Sequence, residues 1–147
     1  MRSQMRTAVA AGMALLLLLP AAVQARICTP RQAEAADAMV DRLDSWSRVA
    51  QMRTRYGHCD DGAIAEGNSE AIARLLVDHW ASLPQLVSLI RRDSALQPFV
   101  LRHLDGSLAD ADLFKIKQLA QTACPAGATA LCAELAATAA AGLTDQQ

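Results

Sequence analysis

From Thr29 onward apolar residues recur three and four positions apart and no stretch sustains a period of two, so the pattern predicts helices and no strand. Thr29-Pro30-Arg31-Gln32 reads as a helix start: threonine at the cap, proline in the first turn, and glutamine placed to close a capping box. The helix that follows carries Ala36, Met39, Val40, Leu43 and Trp46 on one stripe. A second helix is expected from about Asp61 to Trp80, with Ile64, Ile72, Leu75, Leu76 and His79 on its inner side. Gly67 falls in its middle, where glycine costs about 1 kcal/mol relative to alanine, so a kink or a close contact at Asn68-Ser69 is expected.

Ser82-Leu83-Pro84 opens a third helix that turns Leu83, Leu86, Val87 and Ile90 inward and ends at Arg91-Arg92-Asp93. A short fourth, from Pro98 to Leu104, buries Phe99, Val100 and Leu104 before Asp105-Gly106 breaks it. Ser107, with Asp110 three residues on, starts a fifth that carries Leu113, Ile116, Ala120 and Ala123 and stops at Cys124-Pro125. A sixth holds Leu131 and Leu135. Its alanine-rich end is expected to fray over residues 143–147, which offer little to bury. The expected fold class is all-α: a compact single-domain bundle of five to six helices over residues 26–142, with short connections.

The first 25 residues follow another pattern. Arg2 and Arg6 precede an apolar run from Ala8 to Leu19, and Pro20 leads to Val23-Gln24-Ala25, a small-residue cleavage pattern. This is the layout of an export signal, whose removal leaves Arg26 first. The remaining 122 residues suit one domain with one core. They carry 12 basic and 15 acidic side chains, a net charge of −3, which argues against nucleic acid as a partner. The nearest basic run, Arg48, Arg53 and Arg55, is accounted for by a solvated helix face. Arg26-Ile27 does not resemble a lipoprotein cleavage site ahead of Cys28, and no later segment nears the roughly 20 apolar residues of a membrane span. A soluble exported product is expected.

Export places Cys28, Cys59, Cys124 and Cys132 where disulfides persist. An unbroken helix from Pro30 to Arg55 would be roughly 38 Å long and would hold Cys28 and Cys59 that far apart, whereas a disulfide needs Cα atoms within about 7 Å. Pairing both ends of such a helix with Cys124 and Cys132, only eight positions apart, fails for the same reason. Two disulfides therefore require the first helix to stop or bend, with Ser45-Trp46-Ser47 the expected place. Ten residues of extended chain from Val49 span about 33 Å, enough to return. The expected pairs are Cys28–Cys59 and Cys124–Cys132. Zinc ligation is disfavoured because the closest pair of cysteines has seven residues between them.

His58-Cys59-Asp60-Asp61 is the densest cluster of reactive residue types. A cystine cannot act as a nucleophile, and Asp60 and Asp61 suit the cap and first turn of the second helix. His79 is expected at the interior or its boundary, and His103 in a cap or local ion pair beside Asp105. Trp46, Trp80 and Phe99 are expected to anchor the core. Glu66 and Glu70 flank Gly67-Asn68-Ser69, which reads either as a second cap or as a polar recognition patch.

The stretch from Cys59 to Cys132 resembles periplasmic immunity proteins of type VI secretion that neutralise cell-wall amidase effectors. The likeness is carried by Asp60-Asp61-Gly62-Ala63-Ile64-Ala65-Glu66-Gly67, by Leu75-Leu76 through His79-Trp80, by Phe99-Val100-Leu101-Arg102-His103, and by Cys124-Pro125 with Leu131-Cys132. The resemblance implies a small periplasmic helical protein, often a homodimer, that occludes the active cleft of a peptidoglycan amidase. It implies no catalytic residue, metal or cofactor in this chain. An inhibitor is best served by a polar loop on rigid helices. The segment before the second helix, held by Cys59, meets that requirement, as does Asp105-Gly106-Ser107; the expected partner surface is the first, through His58, Asp60, Asp61, Glu66 and Asn68. A periplasmic helical chaperone is the alternative, and a metal-assisted enzyme built on His58, His79 and His103 a third.

Overall fold

The computed structural model describes residues 26–145, so the export signal expected over residues 1–25 lies outside the described part. The described residues are all-α, with no strand among them. Seven α-helices follow in order: α1 (Pro30–Val40), α2 (Trp46–Tyr56), α3 (Gly62–Asp78), α4 (Leu83–Arg92), α5 (Leu96–Arg102), α6 (Asp110–Thr122) and α7 (Thr129–Thr144). Single 3₁₀ turns at Gly57–Cys59 and Trp80–Ser82 lead into α3 and α4. None of these helices is long and apolar enough to cross a membrane.

The expected first helix is two. Its interruption falls at residues 41–45, just ahead of the expected place, and residues 46–56 return as a helix instead of extended chain. Both helices have 11 residues, so each rises about 16 Å and the second cancels the first. Cys28 and Cys59 thereby come within 5.0 Å at their Cα atoms and are bonded. The break also separates the two ends of the apolar stripe. Ala36, Met39 and Leu43 stay in a small cluster with Met52, Cys59 and Ala71, whereas Trp46 enters the main core. There its indole N–H donates to Ser82 Oγ at 2.8 Å, and Ser82 in turn donates to the His79 carbonyl.

The start of α1 is the expected capping box: Thr29 Oγ1 accepts from the Gln32 N–H, and Gln32 Oε1 accepts from the Thr29 N–H. In α3, Gly67 answers a close contact and not a kink. A Cβ there would lie 2.3 Å from Val40 Cγ1, so the missing side chain is what lets α1 lie against an unbroken α3. Asn68 and Ser69 are mid-helix and buried, which removes the expectation that either starts a second helix.

The main core gathers residues of α2 to α7 around Ile72, Leu76, Leu86, Val100, Ile116 and Leu135. α6 and α7 make the most extensive helix pairing, and Cys124–Cys132 closes the turn between them. Three expectations are corrected. His79 is exposed, because α3 ends at Asp78 and turns the ring outward at the cap. Ser107 does not cap α6; that helix starts at Asp110 behind Ala109. Finally, α7 continues past Gly142 to Thr144, since Leu143 packs against the main core.

Candidate functional site

The site is organised by one carboxylate. Cys59 ties the 3₁₀ turn to the start of α1, and Asp61 then caps α3 by accepting from the Gly62 N–H at 2.8 Å. Asp60, between them, is thereby aimed inward with a side chain 3% exposed. Its Oδ1 accepts from Asn68 Nδ2 at 2.7 Å, one face of α3 away. Its Oδ2 meets Arg102 Nη2 and lies 3.2 Å from His103 Nε2, both at the end of α5. Burial raises the pKa of Asp60, but His103, Asn68 and Arg102 together outweigh it and hold the carboxyl at about 2. The group is therefore an anion at any physiological pH.

His103 is itself 3% exposed, and its Nδ1 lies 2.9 Å from Ser69 Oγ. Ser69 Oγ donates to the Ala65 carbonyl at 3.0 Å, so His103 Nδ1–H is the donor to the hydroxyl, and Nε2 donates to Asp60 as well only when the ring is doubly protonated. The connectivity is serine, histidine, aspartate, as in a catalytic triad. The chemistry differs. The serine hydrogen is committed to a carbonyl, and Ser69 stands in the middle of α3, where backbone N–H groups are bonded within the helix and none is left to stabilise an oxyanion. What the trio can do is hold the stapled loop, α3 and α5 in one geometry. Phe99 completes the clamp: His103 meets its ring edge-on at 4.8 Å between centroids, and the Arg102 guanidinium lies 4.6 Å above it.

A cleft of about 360 Å³ opens above this network, with Asp60, Ser69 and His103 beneath and Glu66, Arg102 and Asp105 around it. Glu66 and Asp105 are exposed. Asp105 accepts from the hydroxyl and the backbone N–H of Ser107, which hold its carboxyl below the ordinary range. Since Arg102 is already paired with Asp60, the rim carries an excess of negative charge. Asp61 extends that acidic edge along the same loop.

The expected partner surface is thus divided. Asp61 and Glu66 are exposed. Asn68 is 1% exposed and bound to Asp60, so neither side chain is free for a partner: both are interior supports. His58 is half-buried on the far side of Arg102, in a different cleft. Ser69, Arg102 and His103 were not singled out from sequence as one unit, being 33 and 34 positions apart; the only local signal was a basic pair directly following Phe99-Val100-Leu101. Among the described residues no group of three or more histidine, cysteine, aspartate or glutamate side chains is placed to hold a metal ion, and both cysteine pairs are oxidised. Comparison with protein-family models, curated proteins and solved structures found no match.

Proposed function

We propose that the protein is an exported, soluble inhibitor that docks on a type VI secretion amidase in the periplasm and blocks its active cleft. The observation that carries the reading is the acidic cleft held on a fixed floor: Asp61, Glu66 and Asp105 stand exposed on a loop and helices locked by Cys28–Cys59 and by the Asp60–His103–Ser69 chain. Such a surface binds without first having to be ordered, which is where flexible loops lose affinity. Its charge suits lysine or arginine side chains around the mouth of an enzyme cleft. The resemblance between Cys59 and Cys132 supplies the class of partner, and the staples suit an oxidising compartment.

The test is inhibition of the amidase encoded beside this chain, with fractionation to locate the protein. Asp61→Ala combined with Glu66→Ala is expected to weaken the complex at least about tenfold, equivalent to about 1.4 kcal/mol. Thermal stability is expected to fall by about 0.5–2 kcal/mol with the fold retained, because Asp61→Ala removes the cap of α3 while Glu66 stands exposed. Unchanged affinity removes this cleft as the contact.

A further inference from the structure

On the opposite side of Arg102 the surface changes sign. Arg26, Arg53, His58 and Arg102 line a second cleft of about 390 Å³, whose remaining wall includes Ala95, Pro98 and Phe99. The cations are not equally available. Arg53 Nη2 lies 2.6 Å from Asp93 Oδ2, and Arg102 is paired with Asp60. Arg26 has no partner among the described residues, and His58 adds charge only when protonated. The uncompensated charge is therefore about one, not four. Arg102 nevertheless keeps donors to spare: a guanidinium has five N–H groups, its side chain is 51% exposed, and stacking on Phe99 fixes its plane.

From this we infer that the cleft is a binding site for a peptide carboxylate. The planar fork of Arg102 fits a carboxylate in geometry, and the charge of Arg26 is left free to attract it. The apolar wall would cover the methyl or methylene group that accompanies a carboxylate on a peptide. A phosphate fits less well, since the wall of Ala95, Pro98 and Phe99 would have nothing to cover. Removal of residues 1–25 at the expected site would add an α-ammonium to Arg26, a residue that already lines the cleft. Together the two clefts make a surface of opposite signs divided by Arg102, suited to a partner that offers a base and an acid side by side. The inference rests on the binding reading only for the source of the carboxylate.

The test needs no amidase. N-acetyl-alanyl-alanine, its C-terminal amide, N-acetyl-aspartate amide and inorganic phosphate are each titrated into the isotope-labelled, disulfide-bonded protein, and amide shifts are followed by NMR. The free acid is expected to give saturable shifts at Thr54, Gly57, His58, Ala95 and Arg102, with a dissociation constant on the order of 1 mM. The C-terminal amide should bind at least about tenfold more weakly. Arg26→Ala should weaken the acid by a similar factor, while Asp61→Ala with Glu66→Ala leaves it unchanged. N-acetyl-aspartate amide binding as tightly as the terminal acid identifies an acidic side chain as the natural group, and weaker binding identifies a chain end. No saturation by 20-fold that concentration, equal binding of acid and amide, tighter binding of phosphate, or an unaffected Arg26→Ala overturns the proposal. Peptide binding without amidase inhibition rejects the proposed partner and leaves the carboxylate site standing.

Discussion

Cys28–Cys59 and Cys124–Cys132 close sequence separations of 31 and 8 residues, and they do so beside cores of very different size. The second staples a turn whose flanking helices, α6 and α7, already make the most extensive helix pairing among the described residues and share a core with α2 to α5. The first holds the α1–α2 hairpin over a smaller cluster of Ala36, Met39, Leu43, Met52, Cys59 and Ala71, with Cys28, Val40, Tyr56 and Ile64 at its edge. Hydrophobic burial scales with the apolar area removed from water, so this smaller cluster holds α1 less firmly than the main core holds α6 and α7. α2 is tied to the main core by Trp46 and Val49, whereas α1 depends on this cluster and on the crosslink beside the buried ion network. The C-terminal part is held by packing. That contrast bears on the candidate surface, because the stapled loop positions the exposed Asp61 and the buried Asp60 beside it.

Removing each disulfide alone is the strongest way to break the comparison. Loss of loop-closure entropy predicts about 4 kcal/mol for Cys28→Ala with Cys59→Ala, against about 2.5 kcal/mol for the Cys124–Cys132 pair, read from urea unfolding midpoints. Native-state hydrogen exchange on the first variant is expected to show α1 opening while α6 and α7 stay protected. A larger loss from the second pair would mean that the small cluster suffices and the turn does not.

Acid sharpens the role of the ion network. Asp60 holds its proton more weakly when folded, at about 2, than in the unfolded chain, at about 3.9. Its contribution is therefore complete above pH 4 and is lost as pH falls from about 4 to about 2, for about 2 kcal/mol. Asp60→Asn is expected to lose a comparable amount at pH 7 and to remove that part of the acid dependence. If stability between pH 4 and 2 is the same in both proteins, the network does not hold the loop.

The smallest change tests the seam between the two regions. Gly67→Ala gains up to about 1 kcal/mol of helix propensity but drives a methyl group into Val40, whose β-branched side chain has few other rotamers. Overpacking of this kind costs about 1–3 kcal/mol, so a net loss of about 1 kcal/mol is expected in thermal unfolding. A stabilised variant would show that α1 can move away from α3 freely.

Features with a local cause were legible from the residue order. The capping box at Thr29 spans four residues, the Asp61 cap two, and the core positions Ile72, Leu76, Ile116 and Leu135 follow helical spacing. The disulfide pairing was also within reach, because helix rise and bond geometry leave few options for four cysteines. His79 misled because its spacing matches the inner face of α3, and nothing local says that the helix ends one residue earlier. Asn68 misled for a different reason: a polar residue beside glycine reads as surface unless the carboxylate it meets from eight positions away is known to be buried.

By itself, then, the order of residues determined the helical class, the starts of α1, α3 and α4, the cystines and the need for a break before Cys59, since each follows from short-range sterics or from chain length. Only the tertiary structure decided that Asp60 faces inward, that His103, 43 positions away, meets it and also reaches Ser69, and that Arg102 separates an acidic cleft from a basic one. Those relations depend on which side chains packing brings within 3 Å of one another, and a carboxylate in sequence carries no mark of whether its neighbours in space will be water or an imidazole.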